Sequence, residues 1–336
     1  MLSNHSSMRT DQEKPMTHAR HLALAIAAAT LVAATVPAAA DDLVKLTIGQ
    51  RGNWDTAVAH LGDKAGIFKK HGITLDMIYT SGSGETLQPV IAGSVDYGLA
   101  VGTLGAMAAF AKSAPVRIIG AQATGAADYW YAKASSPIKT LKDTNGHTIA
   151  FSTNGSSTQS VVRAFIDEFK LTAKPLATGN PSATLTAVMT DQVDVGWASP
   201  PFGLKEIDAG QIRVIAKATD ATLVRGQTIR VLVANTDGMT KRKDVLLRFM
   251  TAYRETIDYM YSSNPQVLKD YAEFVQVPET MAKRVRDEFF PKSMLDPDQI
   301  HGMDSLLKEA VNLKFINEPL TKQQQDELIQ IPPRKK

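Results

Sequence analysis

Five short runs in this chain share one chemistry. QRGNWD (50–55), TSGSGE (80–85), VGT (101–103), STNGSST (152–158) and ASPP (198–201) are rich in Gly, Ser, Thr and Asn. Such residues cap helix starts and present hydroxyls and backbone N–H groups, and a helix start favours negative charge. They can hold an anion with no metal and no covalent bond. Capping alone uses the same residues, so Asn53, Ser81, Gly82, Ser83, Thr103 and Ser199 are candidates on position only. STNGSST exceeds what one cap requires, which makes Asn154, Ser156, Ser157 and Thr158 the strongest candidate contacts.

The three tryptophans, Trp54, Trp130 and Trp197, stand in or beside these runs or at a crossing between lobes. Indoles there would suit a ligand with a flat or apolar body and a polar, anionic head, whereas indoles in general pack in cores. Arg51, beside Trp54, and Arg225 in VRGQT are the candidate cations, since a guanidinium matches carboxylate, sulfonate or phosphate oxygens in pairs. Either could equally face solvent.

Catalytic patterns are thin. The chain has no GxxxxGK[ST] phosphate loop, no HExxH helix and no GxSxG elbow. GSGETL (82–87) lacks the third glycine of a dinucleotide fingerprint. His60, His71, His147 and His301 are paired with no other His or carboxylate at ligand spacing. The expectation is a binding protein with no catalytic residue, metal or cofactor.

The elements that position these runs alternate. Strand patterns KLTIGQ, ITLDMIYT, VDYGLAVG and VRIIGAQ are separated by helical patterns, one of them AVAHLGDKAGIFKKHG (57–72). The order restarts with HTIAFS, KPLAT, VDVGWAS and IRVIAKA, then TIRVLVAN as a strand leaving the second half. Alternation of this kind predicts parallel βαβ units in open sheets flanked by helices, with ligands beyond the carboxyl ends of the strands. VDYGLAVGT at 95–103 is also echoed ninety-eight positions on by VDVGWASPP at 193–201, and Thr86, Leu87 and Val90 meet Thr184, Leu185 and Val188 at the same offset. The echo predicts two similar α/β lobes in series.

From Lys241 the pattern is helical. Leu246, Phe249, Met250, Tyr253, Ile257, Met260 and Tyr261 form one apolar face, Asn264–Pro265 reads as a helix start, and Thr321 with Gln324 as a capping box. This tail is expected to pack on the first lobe. The resulting division is 41–130 with 233–336 for lobe 1 and 131–232 for lobe 2, with crossings near 129–134 and 231–235.

Residues 1–40 are set apart. A basic patch HARH (18–21), the apolar run LALAIAAATLVAATV (22–36) and PAAA before Asp41 describe a cleavable secretory signal with cleavage after Ala40. The run is too short for a membrane span. The polar leader ahead of Met16 fits no part of a signal. The chain has 336 residues, no cysteine and a formal net charge of +3, which falls to +2 when residues 1–40 leave with three basic and two acidic side chains. That balance excludes disulfides and thiolate chemistry and gives no support to nucleic-acid or membrane-surface binding.

LTIG, GIFKKHGITLD, AGSVDYG, SPIKTLKDTNGHTIAFSTNGSS and DQVDVGWASPPF, spread over residues 43–235, together resemble the substrate-binding proteins of ABC importers, in the nitrate, sulfonate and taurine group that also includes thiamine-pyrimidine-precursor binders. The resemblance implies a two-lobe, type II periplasmic binding fold that closes on a small ligand and docks, as a monomer, on an inner-membrane permease with its cytoplasmic ATPase. It implies that the loops at 51–54, 81–83, 102–103, 154–157 and 197–200 line the cleft. With the indoles, an organic anion of sulfonate or carboxylate type fits better than nitrate. Two other readings stay open at this level. A sensory partner of a membrane kinase would use the same cleft, and an enzyme of the related pyrimidine-synthesising branch is disfavoured by the export signal and the lack of cysteine.

Overall fold

Leu46, Thr47 and Ile48 are consecutive and all buried, which marks β1 (Asp42–Gly49) as a strand covered on both faces, as parallel sheets require. The computed structural model describes residues 41–334, so the expected export signal, its cleavage site and the polar leader lie outside the described residues. Strand β1 runs parallel to β2 (Ile73–Thr80) and β3 (Tyr97–Gly102). With β4 (Val116–Thr124) and the distant β10 (Thr228–Asn235) they form a five-stranded sheet in the order β2-β1-β3-β10-β4. Strand β10 is antiparallel to both neighbours.

The other strands make two smaller sheets. β5 (Tyr129–Lys133) lies between β8 (Gly196–Ala198) and β9 (Ile212–Lys217), antiparallel to each, while β6 (Thr148–Phe151) and β7 (Lys174–Ala177) pair in parallel. A single bridge from Ile149 to Val195 links the two. The expected second open sheet therefore exists in two pieces, joined where β8 is only three residues long.

Helices α1 (Val58–Lys64) and α2 (Ile67–Lys70) replace the single helix expected at 57–71, because Gly66 takes the left-handed conformation (φ 73°) and breaks it. Next come α3 (Ser83–Ile91), α4 (Thr103–Ala111), α5 (Ser157–Glu168), α6 (Pro181–Met189) and α7 (Leu204–Asp208). The C-terminal region supplies α8 (Thr236–Lys241), α9 (Lys243–Met260), α10 (Gln266–Val275), α11 (Glu279–Arg284), α12 (Met303–Asn312) and α13 (Lys322–Leu328). Among the described residues no helix is long and apolar enough to cross a membrane.

The amphipathic tail packs on the first sheet. Phe249 of α9 lies 4.7 Å from Tyr97 and 5.6 Å from Phe68 between ring centroids, in one apolar cluster with Val44, Leu46 and Ile48. Thr321 accepts from the Gln324 N–H, and Gln324 Oε1 accepts from the Thr321 N–H, so the capping box opens α13. Because β10 sits in the five-stranded sheet from Thr228 onward, the chain returns to that sheet ahead of 231–235. The outward passage is likewise early, at 125–128, since Tyr129 already belongs to β5.

The sequence echo is a repeated piece of structure. Helices α3 and α6 begin and end ninety-eight positions apart. The Thr86 hydroxyl lies 2.7 Å from that of Thr80 and donates to the Gly82 carbonyl at 3.0 Å; the Thr184 hydroxyl lies 2.6 Å from that of Thr178 and donates to the Asn180 carbonyl at 3.0 Å. Asp96 accepts the Lys45 N–H at 2.8 Å and Asp194 accepts the Thr148 N–H at 2.8 Å. Each aspartate ties the start of the strand after a helix, β3 or β8, to an earlier strand, β1 or β6.

Burial raises the Asp194 carboxyl, but the Thr148 N–H, the Thr148 hydroxyl and His147 outweigh it and hold the group below its ordinary value of 3.8. The carboxylate therefore stabilises the fold above the unfolded value, and that contribution is lost as pH falls through the lower folded one. Urea titrations of Asp194→Asn and wild type between about pH 2 and 6 will show a gap that closes on the acid side. A gap that stays constant over that range would sink this account.

Candidate anion-binding cleft

The carboxyl ends of β1 and β2 lead into the segments at 50–57 and 81–82, and β6 leads into 152–156. These segments face one another. Gln50, Asn53, Gly82 and Ser83 line a cavity on one side, and Ser152, Ser156, Ser157 and Thr158 line it on the other. Asp128 and Arg230 complete its wall. Its volume is about 10 Å³, about what a single water molecule needs. An organic solute enters only if the two sides part.

The close approach depends on glycine. A Cβ on Gly84 would stand 2.5 Å from the Asn154 carbonyl oxygen, one on Gly102 2.7 Å and one on Gly105 2.4 Å from that of Gly155. Real side chains do not tolerate such distances to backbone. The Gly84 N–H also donates to Thr153 Oγ1 at 3.2 Å across the same seam.

Two helices of full length start at the cavity. Helix α5 begins at Ser157 with Ser156 as its cap, the Ser156 hydroxyl accepting from the Gln159 N–H at 3.1 Å, and α3 begins at Ser83. The Ser83 hydroxyl donates to the Ala100 carbonyl at 3.1 Å and accepts from the Gly102 N–H at 3.0 Å. Thr158 Oγ1 accepts from the Ser152 N–H at 2.9 Å and lies 2.9 Å from the Ser156 hydroxyl. The positive ends of two helix dipoles thus converge on one small space.

The cation at the cleft is Arg230. Its Nη1 donates to Asp55 Oδ2 at 2.7 Å, its Nη2 donates to Asp128 Oδ2, and its Nε donates to the Ser157 hydroxyl at 3.3 Å. All three charged side chains are buried. Burial depresses the guanidinium, but Asp128 and Asp55 outweigh it and raise it above its ordinary value, so it stays charged. Burial raises the Asp55 carboxyl, Arg230 opposes that, and Asp128 adds to it. Sequence reading missed all three residues. The available signal was a lone arginine inside the apolar strand TIRVLVAN, flanked on both faces by buried neighbours.

Of the candidates read from sequence, the structure brings together Asn53, Gly82, Ser83, Ser156, Ser157 and Thr158. Asn154 is exposed, accepts from Gln159 Nε2 at 2.9 Å, and lines an outer recess. Ser81 and Thr103 stand next to the cavity without lining it; the Thr103 hydroxyl donates to the Thr228 carbonyl at 2.6 Å. Ser199 is wholly buried.

The expectation of an indole lining is corrected. Trp54 is packed edge-on against Tyr271 at 4.7 Å and donates to the Tyr261 hydroxyl. Trp130 donates to the Ala150 carbonyl at 2.8 Å and packs against Phe165, and Trp197 is wholly buried in β8. These rings fill cores, where their large apolar area is best used. The two candidate cations are also elsewhere. Arg51 stacks over Phe274 at 4.2 Å, and Arg225 is exposed and donates to the Thr219 and Asp220 carbonyls.

An open sheet flanked by helices, smaller sheets that repeat its local pattern, and a cleft between opposed helix starts define the periplasmic binding protein fold. The chain is similar to the alkanesulfonate-binding protein SsuA from Xanthomonas axonopodis pv. citri bound to MOPS, with 18% identity and a TM-score of 0.71 over 88% of this chain and 100% of that one. It is also similar to the periplasmic aliphatic sulphonate binding protein SsuA from Escherichia coli (17%, TM-score 0.66, 88% of this chain and 94% of that one). The periplasmic nitrate-binding protein NrtA from Synechocystis PCC 6803 aligns at 12% identity with a TM-score of 0.67, over 86% of this chain and 87% of that one. No curated protein matches the sequence. The NMT1/THI5 like family matches residues 53–266, and the chain belongs to that family.

Proposed function

We propose that this protein is the solute-binding receptor of an ABC importer. It is exported to the periplasm, closes on a small organic anion and delivers it to an inner-membrane permease served by a cytoplasmic ATPase. One lobe is built around the five-stranded sheet and the other around β5 to β9, and closure occurs about the segments at 125–128 and 218–227. The observation that carries this reading is the meeting of the starts of α3 and α5 at a cavity that is shut by glycine contacts. Two helix starts attract an anionic group, and the seam supplies the closing movement. The names of the similar proteins, sulfonate and nitrate binders, support the anion.

Thermal unfolding of the purified, ligand-stripped protein against sulfonates, carboxylates, nitrate and pyrimidines tests this. A ligand at a hundred times its Kd adds about 2.7 kcal/mol, a shift of several degrees for a chain of this size. X-ray scattering will show compaction with the same ligand. Binding without compaction would count against a closing receptor.

A further inference from the structure

The same cavity holds more hydrogen-bond acceptors than its own donors satisfy. Asn53 Oδ1 and Asp128 Oδ1 are buried, belong to side chains that line the cavity, and have no hydrogen-bond partner among the described residues; Asp55 Oδ1, just behind, is in the same position. Asn53 is 1% exposed and Asp128 2%. The pairing within the cluster explains the excess. One guanidinium faces two carboxylates and engages only the Oδ2 of each, and its third contact goes to Ser157.

A simple anion would find three of the five Arg230 N–H groups already engaged, and would leave these acceptors buried without donors. Resting on the receptor reading above, we propose that the ligand also carries an N–H-bearing cationic nitrogen, an ammonium or amidinium, that donates to Asp128 and Asn53 while its acidic group sits at the starts of α3 and α5. The substrate class is then a small zwitterion. The nitrogen supplies the missing donors beside the two carboxylates, and the acid group takes the helix starts.

The test is calorimetric titration of the purified protein with matched probes: aminopropanesulfonate against propanesulfonate, and β-alanine against propionate. The amino member of at least one pair should bind about tenfold or more tightly than its partner. Asp128→Asn should reduce that ratio towards one. Asn53→Leu removes an acceptor and leaves the ion cluster whole, so it should narrow the ratio even where Asp128→Asn folds poorly. Equal or tighter binding of the acids without nitrogen overturns the zwitterion and leaves the receptor standing, as does a ratio that survives both substitutions. Silence from every probe, with or without nitrogen, overturns the receptor for small organic acids and the proposal with it.

Discussion

Arg230→Met will lower stability by about 3–5 kcal/mol, the usual cost of removing one partner from a buried ion pair. For a chain of this size that is a fall in Tm of about 10 °C. The cost comes from what remains: Asp55 and Asp128, both buried, lose the cation that pairs with each. Arg230 no longer opposes the burial that raises the Asp55 carboxyl, so that group's folded value rises further above the unfolded one and the folded variant binds a proton that its unfolded chain does not. Stability of the variant will accordingly increase as pH falls from neutrality toward the unfolded carboxylate values, and its deficit against wild type will narrow. Exchanging the whole cluster, Asp55→Asn with Arg230→Met and Asp128→Asn, should recover most of the loss, because no uncompensated charge is left. Guanidinium melts at several pH values check this. A loss below about 1 kcal/mol, or a deficit that widens in acid, would mean that Arg230 is not what holds the two carboxylates in place.

Gly105→Ala is expected to separate closure from folding. A Cβ there meets the Gly155 carbonyl oxygen at 2.4 Å and the Gly155 carbonyl carbon at 3.2 Å, and neither backbone atom can swing aside. The residue lies inside α4, where alanine is favoured over glycine by up to about 1 kcal/mol. Where the two sides of the cleft stand apart, the variant should be as stable as wild type or slightly more so. Where they close, it meets the cost of overpacking, about 1–3 kcal/mol, and affinity for any ligand that wild type binds should fall by about 10- to 100-fold. Calorimetry with scattering on the same samples measures both. Unchanged affinity and full compaction would remove the seam from the closing mechanism. A large loss of stability without ligand would show instead that the contact is a permanent part of the fold.

Much of the architecture was legible because it is written in local periodicity. The strand ITLDMIYT and the helices at α3, α5 and α6 stand where their apolar spacing and caps put them, and the echo returned as two matching helix–strand units with the same threonine pair and the same strand-tying aspartate. These depend on contacts between residues close in sequence or on a pattern that recurs along it. The polar half of the cleft was legible for the same reason: Ser83, Ser156, Ser157 and Thr158 lie at helix starts, and a helix start is a local feature.

What the tertiary structure alone decided was which large and charged side chains reach the cleft. Nothing in the residues around Trp54, Trp130 and Trp197 distinguishes an indole in a pocket from one in a core; Tyr261 and Tyr271 pack on Trp54, Phe165 packs on Trp130, and Trp197 stands opposite Trp130 across β5 and β8, all at a distance along the chain. Arg51 and Arg225 sit in promising loops and point elsewhere. Arg230 sits inside a strand, and becomes the cleft cation only because β10 crosses to the first sheet between β3 and β4, which carries it to Asp55 and Asp128, at sequence separations of 175 and 102 residues. A charge is tolerated there because partners from three distant segments surround it. That condition is set by how the chain returns on itself, which local pattern does not encode.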